Sequence, residues 1–285
     1  MPERVLVTGA AGLVGTAVLD LLATRGDPVT ALVKDPADGI RADRVLVGDA
    51  RDPDLVDKAL RDCDALIHLA AIPNPNEDPA EVVFAHNTQA TFTVLNQAGH
   101  AGIPRAAFAS SYAICGLPFA RRPLRMPYLP IDTQLPLQIT DPYALSKRVD
   151  ETTAEMIHQT YGMGLVALRL PFVGTAADRL TGTAARFAHS PQAGAADVWS
   201  YLDTRDAARA LVAALHPTTP GNHVVYVAAP ETLAPQPTEW LLNRFHPGVP
   251  RPPFPGRTVP IDLGPAQTLL NFTAQFPFHI DPPPK

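Results

Sequence analysis

An apolar run, Arg4-Val5-Leu6-Val7, ends in Thr8-Gly9-Ala10-Ala11-Gly12-Leu13-Val14-Gly15 and passes into a stretch of helical period, with Leu13, Ala17, Leu21 and Leu22, that reaches to about Arg25. Few short segments restrict a fold so strongly. A buried strand that feeds a helix through a glycine turn returns by a crossover, so the next strand lies parallel to the first. The glycines have separate duties at this spacing. Gly9 permits the tight turn, Gly12 lets the backbone approach a pyrophosphate, and Gly15 lets helix and strand pack closely. Ala11, Leu13 and Val14 complete the cradle at the positive end of the helix.

The alternation continues along the chain. Val29 to Val33 reads as a second strand, and Arg44-Val45-Leu46-Val47 as a third that ends in Gly48-Asp49. Asp52-Pro53 joins an N-cap to a proline at the first helical position and opens a helix to about Arg61. Ala65 to Leu69 is the fourth strand, a long helix spans about 79–101, and Ala106 to Ala109 is the fifth strand, ending at Ser110-Ser111. Asp141-Pro142 repeats the cap signature, and Leu165 to Leu170 is the sixth strand. The expected fold is α/β, a Rossmann-type doubly wound parallel sheet with a small C-terminal substrate-binding lobe. Residues 1–172 would form the dinucleotide-binding part with the catalytic helix. Residues 173–285 would be mainly the substrate lobe, with some segments returning to the core. Ligands of such sheets gather at the carboxyl ends of strands, where Asp49, Leu69-Ala70-Ala71, Ser110-Ser111, Pro171 and Val173 fall.

Composition limits the partners. The net charge is -5, the pI is near 6.0 and no basic run exceeds Arg121-Arg122, so neither nucleic acid nor an anionic membrane is expected. No apolar stretch approaches the ~20 residues of a membrane span. The start, Met-Pro-Glu-Arg-Val, has no signal-peptide pattern, and the expected location is the cytoplasm. Cys63 and Cys115 offer neither a disulfide framework nor a metal cluster, so no metal is expected. Proline, 32 of 285 residues, is about twice the ordinary ~5%. It gathers in 117–142 and 217–284, which predicts a loop-rich second half, and 281–285 reads as a frayed tail.

Tyr143 and Lys147 stand at i and i+4 of the helix that Asp141-Pro142 opens, and so share one face. An ammonium beside a phenol favours the phenolate. A free tyrosine titrates near ~10, and bringing it towards neutrality takes ~4 kcal/mol. A lysine and a bound nicotinamide cation could supply that, which would make Tyr143 a general acid/base for hydroxyl–carbonyl interconversion.

The glycine motif, Ser111 and Tyr143-Ala-Leu-Ser-Lys147 together resemble the short-chain dehydrogenase/reductase superfamily. The resemblance is to its extended branch of NAD(P)-dependent epimerases, dehydratases and reductases, and runs through roughly residues 3–228. It implies that Ser111 bonds the reacting oxygen and that Lys147 also orients the ribose. It implies that Asp49 accepts from the adenine amine with Ala50 against the ring, the alternative being a turn or capping aspartate. Leu69, Ala70, Ala71, Ser110, Pro171 and Val173 would lie along the cofactor. Asn87, in the long helix, would support the lysine through a water, the alternative being a surface polar residue. His68 reads as a structural histidine. Cys115 replaces a customary tyrosine and is either a packing residue or a substrate contact.

Val33 stands where NAD enzymes place an acid on the ribose hydroxyls, and Lys34 follows it. Plant-type reductases of the branch carry Arg at the Lys34 position. That resemblance implies a contact to a 2′-phosphate and NADP as cofactor, with NAD the alternative if Asp35 bonds the ribose. Extended-branch relatives also pair helices equivalent to 79–101 and 141–161 into a homodimer. Val82, Val83, Ala90, Val94 and Leu95 would supply the apolar face of the first.

Two departures bear on the substrate. Phe172 stands where UDP-sugar epimerases have an asparagine that contacts the sugar nucleotide, and Trp199 where they have an arginine on the diphosphate. The expectation is an aromatic wall opposite the nicotinamide and a small non-nucleotide substrate, oxidised or reduced between secondary alcohol and ketone or lactone. The size and layout also resemble uronate dehydrogenases. Arg121-Arg122-Pro-Leu-Arg125 lies in the capping segment, where it either meets a substrate anion or stands solvated. The alternatives are a sugar-nucleotide epimerase or dehydratase, and a non-catalytic NADP sensor, against which the intact Ser111, Tyr143 and Lys147 argue.

Overall fold

Strands β1 (Val5–Thr8), β2 (Val29–Val33) and β4 (Ala65–His68) are buried along their whole length, as strands covered on both faces must be. The computed structural model describes residues 3–280, and the 281–285 tail lies outside them. With β3 (Arg44–Val47), β5 (Arg105–Ser111), β6 (Gly164–Leu170) and β9 (Asn222–Tyr226) these strands form one seven-stranded sheet of order β3-β2-β1-β4-β5-β6-β9, parallel throughout. The order reverses between β1 and β4, so a crevice opens at their carboxyl ends.

One face is covered by α1 (Leu13–Arg25), α6 (Thr204–Ala213) and α8 (Gly264–Leu270), which pack Val18, Leu22, Leu211 and Leu270 onto it. The other carries α2 (Pro53–Leu60), α3 (Ala80–His100) and α4 (Pro142–Tyr161), through Val56, Val94, Leu95 and Ile157. The expected caps are present. Asp52 accepts from Asp54 N and Leu55 N at the start of α2, and Asp141 accepts from Ala144 N at 2.8 Å at the start of α4. Among the described residues no helix is long and apolar enough to cross a membrane.

A smaller C-terminal lobe has its own core. A two-stranded parallel sheet of β7 (Phe172–Gly174) and β8 (Tyr201–Asp203) lies beside α5 (Thr181–His189) and α7 (Thr238–Phe245). Its interior gathers Leu129 and Leu135 from the long segment before α4 with Phe187, Trp199, Leu241 and Phe254. The chain does not stay in this lobe once it enters. It returns through α6, β9 and α8, which complete the large sheet and its covering layer.

Candidate active site

Gly9 has φ +64°, and a Cβ there would lie 2.7 Å from Ala70 N, so the turn is pressed against the end of β4. A Cβ on Gly15 would strike the Gly9 carbonyl, and its absence lets α1 begin directly above the loop. Gly12 caps α1 without a side-chain bond, and no acid occupies the first turn. The helix therefore presents free N–H groups and undiminished positive potential. Leu13 beside them is 40% exposed, an apolar side chain that a flat ligand could cover. These features fit a dinucleotide pyrophosphate.

Ser111 ends β5, Lys147 of α4 reaches Ala109 O of the same strand, and Tyr143 packs with Ala113 in the turn that follows. Ser111 Oγ accepts from Ala113 N at 3.1 Å and caps the short 3-10 turn Tyr112–Cys115, which leaves its proton free to donate. Tyr143 is nearly buried, with Phe119 edge-on at 6.0 Å between ring centroids and no hydrogen bond on its hydroxyl among the described residues. Lys147 Nζ donates to Ala109 O at 3.0 Å and pairs with Asp150 at 3.2 Å, lying 6.0 Å from the Tyr143 ring centre.

Asn87 is fully buried, which removes the surface alternative. Its Oδ1 accepts from Ile72 N at 2.8 Å, and its Nδ2 donates to Ile72 O and to Ser146 Oγ, both at 3.1 Å. It thereby clamps the loop after β4 to α4 without touching Lys147 directly. Ser110, expected along the cofactor, uses its hydroxyl on Glu151 Oε1 at 2.7 Å, so only its backbone is left for a ligand. Glu151 also grips Arg169, a pair that sequence reasoning missed although Glu151 lies one turn beyond Lys147. His68 is held between Thr8 Oγ1 at 2.7 Å and Thr91 Oγ1 at 3.1 Å, the structural role expected, and burial keeps it neutral, its pKa pushed down to about 3.

At the other end of the crevice, Asp49 makes both interactions a turn aspartate would. It accepts from Arg51 N at 2.9 Å and pairs with the Arg51 guanidinium at 2.6 Å, which draws its pKa down to about 2. Ala50 is buried beside it, Val33 is buried, and Lys34 and Asp35 are both exposed. Half-buried His86 on α3 faces this cluster, and its pKa is lowered first by burial and then by Arg51 and Lys34, against the pull of Asp49 and Asp78. Leu69, Ala70, Ala71 and Pro171 are partly exposed at their strand ends, and Val173 is buried in β7.

The lobe side corrects one expectation. Trp199 is wholly buried in the lobe core, where Nε1 donates to Pro191 O at 2.7 Å and the indole meets Phe245 and His246. It forms no wall with Phe172. Apolar burial captured the ring, and Val198 and Trp199 both take left-handed backbone, φ +43° and +55°, to seat it. Phe172 is only half-buried and carries the Arg179 guanidinium 4.6 Å above its ring. Arg179 belongs to a π-helical turn, Ala176–Leu180, that no periodicity in the sequence signals. Cys115 is fully buried and its pKa is pushed up to about 11, so it packs as a thiol. Arg121 and Arg122 are exposed, and the Arg125 guanidinium donates to Gly248 O at 3.4 Å.

Comparison with known proteins fits this arrangement. The family model described as NAD dependent epimerase/dehydratase family matches residues 5–228. A 3-diazoavenalumate denitrifying reductase of a Streptomyces species is 32% identical over 279 residues, 92% of this chain and 86% of the relative. A UDP-glucose 4-epimerase of Azospirillum brasilense is 31% identical over 176 residues, 58% of this chain and 48% of that enzyme. A short-chain dehydrogenase/reductase superfamily protein from Agrobacterium tumefaciens, solved with bound NAD, superposes with a TM-score of 0.73 at 23% identity. The match covers 96% of this chain and 93% of that one, and speaks for the fold.

Proposed function

We infer the activity from a plain premise: this chain belongs to the NAD dependent epimerase/dehydratase family, within the extended short-chain dehydrogenases/reductases, and is an NAD(P)-dependent enzyme. The reading its site supports best is an oxidoreductase that interconverts a secondary alcohol and a ketone or lactone on a small non-nucleotide molecule. One observation carries it. Trp199 stands at the sequence position of the diphosphate-binding arginine and is buried in the lobe core, while Phe172 stands at that of the sugar-contacting asparagine. Neither side chain offers a diphosphate or sugar the polar bonds that an arginine and an asparagine at these positions would supply. The Streptomyces reductase, similar along nearly the whole chain, adds support.

The nicotinamide cofactor, when bound, supplies or accepts the hydride. The protein's share is orientation and proton movement. Gly9, Gly12 and the N-terminus of α1 hold the pyrophosphate, with Ala11, Leu13 and Val14 along it. Asp49 and Ala50 sit at the adenine. Ser111 donates to the reacting oxygen with the proton that Ala113 N leaves free. Tyr143 moves the proton to or from that oxygen. Lys147, anchored on Ala109 O and Asp150, keeps one N–H for the ribose and sets its charge near the phenol. Asn87 is a positioning residue that fixes α4 against the loop after β4. NADP is the preferred cofactor, because no acid stands at buried Val33 and the exposed Lys34 follows it. The enzyme works in the cytoplasm as a homodimer, with residues 1–172 binding the cofactor and 173–285 mainly the substrate, apart from the segments that return to the large sheet.

The second reading, a sugar-nucleotide epimerase, has the Azospirillum enzyme in its favour. Thermal shift separates the two. NADPH should stabilise the protein, and UDP or dTDP at millimolar concentration should leave its melting temperature unchanged. Clear stabilisation by UDP or dTDP alone reverses the ranking.

A further inference from the structure

Tyr143, Lys147 and Asp150 occupy i, i+4 and i+7 of α4, a single stripe in which the lysine lies between a phenol and a carboxylate. Asp150 is fully buried, with side-chain exposures of 5% and 1% for Lys147 and Asp150. Oδ2 meets Lys147 Nζ at 3.2 Å, and Oδ1 has no hydrogen-bond partner among the described residues. Removing a carboxylate from water is costly, and burial pushes this carboxyl up while Lys147 pulls it down. A carboxylate kept there on one ammonium, with only the nearby Thr91 hydroxyl besides, calls for an account that helix packing alone does not supply.

The groups facing the pair come from every side. On α4 itself these are Tyr143 and Glu151, and Glu151 is committed to Arg169 of β6, which in turn touches Tyr226 of β9. From α3 comes Thr91, whose hydroxyl lies near enough to Asp150 to favour its charge. From β4 comes His68. Thr8 Oγ1 accepts from Leu69 N and Ala70 N, so its own proton goes to His68 Nδ1. His68 Nε2–H therefore donates to Thr91, whose proton remains for Asp150. His86 of α3 acts only on the His68 end. With His68 neutral, Lys147 is the cation that pulls the Asp150 carboxyl down.

We propose that Asp150 is a positioning residue that holds Lys147 back from Tyr143 and offsets its charge, and so sets the pH at which Tyr143 ionises higher than the lysine alone would set it. Two charges share one ammonium. Whatever field the carboxylate takes up is lost to the phenol one turn away. The proposal rests on the acid–base reading of Tyr143.

The test needs no substrate. Phenolate formation is followed by ultraviolet absorbance during a pH titration, and the Tyr143 signal is isolated by subtracting the Tyr143→Phe protein. In Asp150→Asn, which keeps shape and removes charge, the Tyr143 transition should move to lower pH by ~0.5–1 unit. Asp150→Ser, measured alongside, covers the case in which the asparagine variant folds poorly. The shift should vanish when Asp150→Asn is made in a Lys147→Met background, because the effect passes through the lysine. A Tyr143 transition that is present and unmoved by both Asp150 variants overturns this proposal alone. A transition that moves equally without Lys147 also overturns it. A Tyr143 signal inseparable from the other tyrosines overturns the acid–base reading, and the proposal with it.

Discussion

Glu151 grips Arg169 through two near-parallel bonds, Nε to Oε1 at 2.9 Å and Nη2 to Oε2 at 2.8 Å, and both side chains are almost wholly buried. The fork ties α4 to β6 one turn below Lys147. Ser110 and Tyr226 satisfy further atoms of it, the latter at 3.2 Å from Nη1. Breaking such a pair leaves a buried charge alone, so Glu151→Ala should cost ~3–5 kcal/mol of stability. The double change Glu151→Leu with Arg169→Met should recover most of it. Urea unfolding of the three proteins checks this, and a single variant within ~1 kcal/mol of wild type would disprove the structural role.

Lys34 gives a cofactor prediction. If it meets a 2′-phosphate, Lys34→Ala should weaken NADPH binding by ~1–3 kcal/mol and leave NADH nearly unaffected. Fluorescence titration with both cofactors measures it. A wild-type protein that binds the two equally well would remove the ground for NADP.

His68 predicts an acid limit to stability. In the unfolded chain a histidine takes its proton near ~6.5, whereas in the folded protein burial delays this to about 3. Between those values the unfolded state holds more protons. The contribution is therefore whole above ~6.5 and is lost progressively as pH falls towards about 3. His68→Gln should flatten the fall in unfolding free energy between pH 6.5 and 4, read from urea midpoints at several pH values. A variant with the same slope as wild type would show that His68 is not the group responsible.

A homodimer formed through α3 and α4 would have to use other residues than most of those expected. Val83, Ala90, Val94 and Leu95, expected on the interface, are fully buried in the protein's own core, the last three packed with the sheet and Val83 with Ala113, Tyr143 and Ala144. The exposed apolar residues are Val82 and Phe92 of α3 and Leu145 and Met156 of α4. Phe92 is 47% exposed. Light scattering should report a dimer at micromolar concentration, and Phe92→Asp should drive it to monomer. A monomeric wild type would end the carry-over.

The frame of the fold was legible because each element declares itself locally. The β2 and β3 boundaries, the Asp52 and Asp141 caps and the Gly9–Gly15 turn all follow from residues within a few positions of one another. Strands β7 and β8 did not, since three residues show no period, and β9 opens on Asn222 and His223 before its apolar end.

The candidate residues were likewise readable as types in a pattern: Ser111, Tyr143, Lys147 and the glycine loop. Their partners were not. That Lys147 faces Asp150, that Asn87 clamps Ile72 to Ser146, that Ser110 serves Glu151 and that Trp199 belongs to the lobe core are all long-range or side-chain-packing facts. Sequence determines which groups the backbone presents on each turn and strand end, since steric and hydrogen-bonding rules act over a few residues. Which buried polar group answers which, and which ring the core claims, is decided only when distant segments close and every desolvated atom must find a partner.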